Sequence, residues 1–378
     1  MRFFIILVSI GVRIYLMTLP SFGIDMSAWL AWAYRLADLG PGGFYSDTVW
    51  TQYTPGVLYW LWFIGSVGWV HALAIKIPLL LCDIVTAYLI YRVVEKHNQN
   101  RAWWVIPLYL LNPALAFTDS VWGQIDGLLT LFLFLSFYLA YEKNKIISSG
   151  IAWALALLIK PQALAFLPVL VVVWMKSKKW IRIGIASLIS GLVIVAGSVL
   201  FFPSDPVFGL PKLIGMMGQF YHYTSLYAYN IWALTTSMWK DDQTVWGYFS
   251  YQQWGTILYV SALIICTMAF FFRQRNYYVF ASLILFSFFL FPTRVHERYL
   301  LPFFAFFLAF VFLSKKTFWI VLYIFFSLVY LANIYYPYAY YTDTFLRSEG
   351  LMYMIERSVV PISISMLVLF GSLLAQLI

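Results

Sequence analysis

Long apolar runs separated by short polar interludes give the chain its rhythm. The runs lie near residues 3–20, 72–92, 101–117, 127–141, 146–160, 161–175, 180–202, 254–272, 277–293, 298–313, 317–333 and 355–376. Several exceed the roughly 18 apolar residues that mark a membrane crossing, and the shorter ones must be half-embedded or extend into loops. The pattern therefore predicts about twelve spans. Segment 56–70 is apolar too, but Pro55, Gly56, Gly65 and Gly68 break it up. Counting it as a span would invert every later loop, so it is read as a dipping piece of the first external loop. The opening Met1-Arg2 and its apolar run imitate a signal peptide. Arg13 interrupts the run and no small-x-small cleavage site follows, so it is kept as the first span.

The first polar interlude, from Ser21 to about Pro55, is the most structured of the connections. Trp29, Trp32, Ala33 and Leu36 fall at helical spacing and predict a helix with one apolar face flanked by Arg35 and Asp38. Two tryptophans on a short helix between membrane segments favour a position in the interface. Asp25 falls in the first turn of this helix. It is read as a carboxylate at the membrane edge, able to take a proton from an acceptor hydroxyl. A plain helix cap is the alternative.

Charge orients the spans. With twelve spans and a cytoplasmic amino terminus, the inner segments carry Arg2, Arg92, Lys96, Arg101, Lys143, Lys145, Lys176, Lys178, Lys179, Arg182, Arg273, Arg275, Lys315 and Lys316. That is 14 of the 24 Lys and Arg, against only Glu95 and Glu142 of the 15 acids. Basic residues hold loops on the cytoplasmic side, so the net charge of +9 reflects orientation and nucleic-acid binding is not needed to explain it. Composition agrees. Hydrophobic residues make up 63% and charged residues 10% of the chain, against roughly a quarter charged in soluble proteins; mean hydropathy is +0.83. The expectation is an all-α polytopic membrane protein, residues 1–378 forming one integral membrane domain, with a first external loop over 21–71 and a long external loop over 203–253. Cys82 and Cys266 both lie in apolar runs, which leaves no disulfide framework and no thiolate metal cluster.

Nearly every unusual polar residue then falls outside. Phe291-Pro292-Thr293-Arg294-Val295-His296-Glu297-Arg298 sets four ionisable groups in five residues between two apolar runs. Arg294, His296 and Arg298 suit a phosphate clamp, because Arg offers paired donors to phosphate oxygens. Glu297 would orient Arg294 or Arg298, or hold His296 in one tautomer. A surface salt-bridge knot is the alternative. Asp119, Trp122, Gln124 and Asp126, set among glycines, have the make-up of a sugar pocket, with hydrogen-bonding groups beside an aromatic platform. An Asn112-Pro113 turn and helix cap is the plainer reading. Lys160, in Lys160-Pro161-Gln162, would reach a phosphate or simply snorkel from a span end. Lys76 and Asp83, inside one span, suggest an internal ion pair. In the stretch Tyr221–Trp232 an aromatic belt explains most of the pattern, while His222 and Asn230 would reach the pocket. Acids and histidines are too scattered for a metal site, and no nucleotide-type Gly-rich loop occurs.

In order along the chain, Gly23-Ile24-Asp25, Gln52-Tyr53-Thr54-Pro55-Gly56, Asn112-Pro113, Trp122-Gly123-Gln124-Ile125-Asp126, Lys160-Pro161-Gln162, Tyr229-Asn230-Ile231-Trp232 and Arg294-Val295-His296-Glu297-Arg298 resemble the GT-C superfamily. The order is most similar to bacterial and archaeal relatives of the dolichyl-phosphate-glucose-dependent glucosyltransferases. The likeness runs from about residue 10 to 302. Arg294 stands where the family's His-x-His-Glu-Lys-like turn has its first histidine, and Arg298 where it has lysine. Asp119-Ser120-Val121-Trp122-Gly123-Gln124 lacks the histidines of the corresponding family stretch.

The resemblance implies a GT-C-like bundle and a polyprenyl-phosphate-linked monosaccharide donor. It also implies inverting transfer to a hydroxyl of a glycan or glycolipid acceptor, with Asp25 as general base. Donor phosphate would fall to Lys160, Arg294, His296 and Arg298, and sugar or acceptor to Asp119, Trp122, Gln124, Asp126, Gln162, Asn230 and Glu297. No cofactor or metal is expected, the partners being the lipid-linked donor, the acceptor and membrane lipids. The expected place is the plasma membrane, with chemistry on the extracytoplasmic face. The rival class is a transporter or flippase of an anionic lipid or solute, which predicts half-helices and internal repeats. A non-catalytic partner in an envelope-assembly complex is a third possibility.

Overall fold

The computed structural model describes residues 2–46, 51, 53–273 and 276–377. Gln52 of the Gln-Tyr-Thr-Pro-Gly motif and Arg275 of the inner basic set lie outside the described residues. The chain is overwhelmingly helical. The strands among the described residues are a small hairpin, Val245–Trp246 against Phe249–Ser250.

Four described helices are long and apolar enough to cross a membrane: Ala72–Glu95, Trp180–Ser198, Tyr251–Arg273 and Thr317–Tyr341. A fifth is possible if Glu349–Arg357 and Val359–Leu374, bent by 56° at their junction, act as one. Ile146–Ile159, Pro161–Lys176, Tyr277–Leu290 and Leu301–Leu313 are apolar but shorter. Proline explains several breaks that hydropathy does not register. The run at 101–117 divides into Gln99–Ala102, Val105–Leu110 and Pro113–Leu115, and the run at 161–175 opens with a tight 3-10 turn, Pro161–Phe166.

The chain divides into two compact units. The first comprises residues 11–89 and 119–220. Here Ile146–Ile159 packs on Trp180–Ser198 and on Asp126–Phe137, and Gly23–Leu39 packs on Pro55–Ser66. The helix Gly23–Leu39 forms as its spacing predicts, burying Met26, Trp29, Ala33 and Leu36. Segment 56–70 becomes the twelve-residue helix Pro55–Ser66. Its Gly65 lets the two helices touch backbone to backbone, since a Cβ there would sit 2.1 Å from the Ala33 carbonyl oxygen.

The second unit comprises residues 1–10, 90–118 and 221–378. Its centre is the Phe-rich pair Tyr277–Leu290 and Leu301–Leu313, buried on nearly every side as expected for helices without a polar face. Tyr251–Arg273, Thr317–Tyr341 and Val359–Leu374 pack around this pair.

One expected pairing is corrected. Asp83 pairs with Arg13 and not with Lys76. Seven residues along one helix separate Lys76 and Asp83 by about 10 Å, too far for contact, whereas Arg13 arrives from a different helix. The Lys76 ammonium instead donates to the Met17 and Leu19 carbonyls, both at 3.1 Å.

Candidate active site

In the first unit Asp25 sits in the first turn of Gly23–Leu39, and its carboxylate caps nothing in its own helix. It accepts instead from the turn that precedes Asp126–Phe137. The Trp122 indole N–H donates to Oδ2 at 2.7 Å, and the Gln124 amide donates to the same oxygen. Gly123 makes this grip possible. Its φ of +90° reverses the chain between the two donors, and a Cβ there would lie 2.6 Å from the Met26 methyl. Trp122 ends a wide π-turn, Ala116–Trp122, a geometry frequent at functional sites.

Behind Gln124 stands Tyr53, whose hydroxyl donates to the Gln124 carbonyl oxygen at 3.0 Å. That bond fixes which end of the amide meets Asp25. Trp29 packs on Tyr53 with ring centroids 4.4 Å apart, and Phe22 packs on Trp122 at the same distance. The Lys160 ammonium lies 5.6 Å from the Tyr53 ring centroid and bonds both Asp126 oxygens at 2.9 Å. Pro161 forces Lys160 into an extended backbone, φ −149° and ψ 139°, which ends the helix Ile146–Ile159 and aims the side chain. Gln162 is buried in the turn that follows. The unit thus gathers Asp25, Trp122, Gln124, Asp126 and Lys160. Asp119 is fully buried and takes the Gly127 N–H at 3.3 Å.

In the second unit the basic turn is braced by acids. Arg294 adopts a φ of +63°. Its guanidinium spans both oxygens of Asp242, at 2.7 and 3.1 Å, and also meets His222 Nδ1 at 2.8 Å. Arginine has only donors, so His222 Nδ1 accepts. Arg298 donates to Glu297 at 2.6 Å, and His296 Nδ1 lies 3.7 Å from the other Glu297 oxygen. Burial pushes the Glu297 carboxyl up, but Arg298 and His296 outweigh it and hold it at about 2. Asn230 caps the short helix Ile231–Thr235, accepting from Trp232 and Ala233, and donates to Phe289. Asn112 likewise caps Ala114 and Leu115.

Sequence reasoning missed Tyr53 and Asp242 as partners. Tyr53 falls within Gln52-Tyr53-Thr54-Pro55-Gly56, where the sequence by itself gives it no role. Asp242 was one of two adjacent acids in a loop poor in them, a weak signal that pairing with Arg294 makes meaningful.

No curated protein matches the chain. The model of glycosyltransferase family 87 matches residues 50–293, more than half of the sequence, and the chain belongs to that family, a membrane glycosyltransferase by its family and its apolar helices.

Proposed function

We propose that the protein transfers a monosaccharide from a polyprenyl-phosphate donor to a hydroxyl of a lipid-linked or envelope glycan. The proposed face is the outer side of the plasma membrane, and configuration inverts at the anomeric carbon. The observation that carries this reading is the grip on Asp25: Trp122 and Gln124 both use Oδ2, and neither bond engages Oδ1. A general base needs such a carboxylate, fixed in orientation with a lone pair left for the incoming hydroxyl. Trp122 and Gln124 are also assigned to the sugar, which would have to displace part of the packing that now covers them.

The donor class follows from chemistry. An enzyme working outside the cytoplasm has no nucleotide sugar at hand, so the activated sugar must arrive on lipid. The hydroxyl attacks the anomeric carbon, the C–O bond to phosphate breaks, and Asp25 takes the hydroxyl proton. Polyprenyl phosphate departs with the bonding pair, and negative charge grows on its oxygens. Lys160, Arg294, His296 and Arg298 are assigned to that charge, because fixed cations stabilise it more in the transition state than in the ground state. Such a leaving group needs no acid, so one catalytic carboxylate suffices where glycosidases use two. The acceptor and sugar contacts are assigned to Gln162 and Asp126 in the first unit and to Asn230 and Glu297 in the second. The bundle is assigned to the GT-C type, as a single membrane domain of about twelve spans, the shorter apolar helices being half-embedded or extended by their loops.

The test is to incubate the purified protein with a panel of labelled polyprenyl-phosphate monosaccharides and extracted cell lipids. Release of free polyprenyl phosphate with label in a new glycolipid is expected. Label accumulating in vesicles on an intact donor would mean transport. No consumption of any donor would remove the reading.

A further inference from the structure

Asp83 and Asp119 meet at the base of the turn that carries Trp122. Asp83, in the helix Ala72–Glu95, gives Oδ2 to the Arg13 guanidinium, whose Nε also donates to Ser120 Oγ at 2.6 Å. Asp119 receives the Gly127 N–H on Oδ1. The remaining oxygen of each carboxylate, Asp83 Oδ1 and Asp119 Oδ2, is buried without a hydrogen-bond donor. Both face one point. A Cβ added to Gly127 would lie 3.0 Å from Asp83 Oδ1 and 2.8 Å from Asp119 Oδ2, and the two side chains stand in hydrogen-bonding range of each other.

Two buried acceptor oxygens that face each other without a protein donor call for a hydrogen between them. The charges agree. Arg13 from the first helix neutralises one carboxylate. The next acid, Asp126, is taken by Lys160, and Lys76 is spent on the Met17 and Leu19 carbonyls. Cys82, on Asp83's own helix, is a further titratable neighbour and adds no positive charge. One negative charge is left uncompensated.

We propose that Asp83 and Asp119 form a proton-binding site, holding one proton between Asp83 Oδ1 and Asp119 Oδ2. The site stands whether or not Asp25 is a base. Burial first, then the neighbouring Asp83, hold the Asp119 carboxyl well above the ordinary carboxylate range in spite of Arg13. The proton bonds the turn bearing Trp122 to the helix Ala72–Glu95, and its loss sets two like charges face to face there.

Infrared spectroscopy of the protein tests this at about pH 8, where ordinary carboxylates are ionised. The wild type should show the carbonyl stretch of a protonated acid, and labelling aspartate with carbon-13 should shift it, which separates it from glutamate and lipid esters. Asp83→Asn and Asp119→Asn should each lose the band. Asp119→Asn should keep the wild-type melting temperature or exceed it, because its amide supplies the missing donor to Asp83 Oδ1. No aspartate-derived acid band in the wild type overturns the proposal, a result that needs no variant to fold. So does a band that survives both substitutions. A sodium-dependent rise in melting temperature with no acid band would place a cation, not a proton, between the oxygens.

Discussion

Trp122 donates its indole N–H to Asp25 at 2.7 Å across 97 residues of sequence. A carboxylate in the first turn of a helix ordinarily serves that helix's free N–H groups. Asp25 is turned instead toward a neighbouring element, and its orientation is set by tertiary contacts. This separates a carboxylate with an assigned direction from one that merely ends a helix.

Asp25→Asn tests the role directly. The amide has the same shape, and its carbonyl oxygen still accepts from Trp122 and Gln124, so melting temperature and helical content should stay near wild type. Transfer should fall by about 10²–10⁴-fold, the usual share of a general base. Turnover at the wild-type rate would remove Asp25 from the mechanism.

Tyr53→Phe probes the layer behind. Without the hydroxyl, the Gln124 amide loses the bond that fixes its orientation. A neutral hydrogen bond contributes about 1 kcal/mol, so kcat should fall roughly fivefold with KM little changed, the mark of an interaction felt mainly in the transition state. A rise in KM alone would place Tyr53 in substrate binding.

What the sequence made legible was local. The helix Gly23–Leu39 and the place of Asp25 follow from a 3.6-residue period within one stretch. Trp122 and Gln124 were recognisable as a polar and aromatic cluster, but their grip on Asp25 depends on how Gly123 turns the chain, which periodicity does not report. Ion pairing was the least legible. Lys76 and Asp83 share a helix and a sign complement, yet Arg13 from elsewhere takes the acid, and Arg294 finds Asp242 rather than Glu297. Such partners are chosen by packing between distant segments.

Gly65→Ala should cost about 1–3 kcal/mol, the range for overpacking. The added methyl meets the Ala33 backbone, not a side chain that can swing away, so Gly23–Leu39 and Pro55–Ser66 must separate. Gly11 is the control. It lies in the helix Arg2–Met17 with nothing within 4 Å of an added Cβ, and Gly11→Ala should be neutral or stabilising. Melting temperatures of the two variants should move in opposite directions or by clearly different amounts.

Glu297 gives a pH signature. Its carboxyl is held at about 2 against an ordinary value of 4.5. A depressed carboxyl stabilises the fold above its unfolded value, and that contribution fades as pH falls through the folded one. The contribution is on the order of 3 kcal/mol. The melting-temperature gap between wild type and Glu297→Gln should therefore be steady above about pH 5, narrow below it and close near pH 2, following that linkage. A gap that stays flat throughout acidification would show that Arg298 and His296 do not hold this carboxylate.

Asp242 and Arg294 separate stability from chemistry. Asp242 is fully buried and also accepts from Thr293 at 2.8 Å. Removing its charge leaves the Arg294 guanidinium, 14% exposed, without its counter-ion. Breaking one side of such a pair costs about 3–5 kcal/mol, mostly because a desolvated charge is stranded. Asp242→Asn should therefore destabilise by about that much, whereas Arg294→Gln with Asp242→Asn should recover a good part of the loss, since neither charge remains. Additive losses in chemical denaturation would show the two to be uncoupled. Activity then divides the roles of Arg294. If it only braces the turn, the double variant regains transfer along with stability. If it meets the donor phosphate, stability returns and transfer does not, because glutamine offers neither the charge nor the paired donors that phosphate oxygens require.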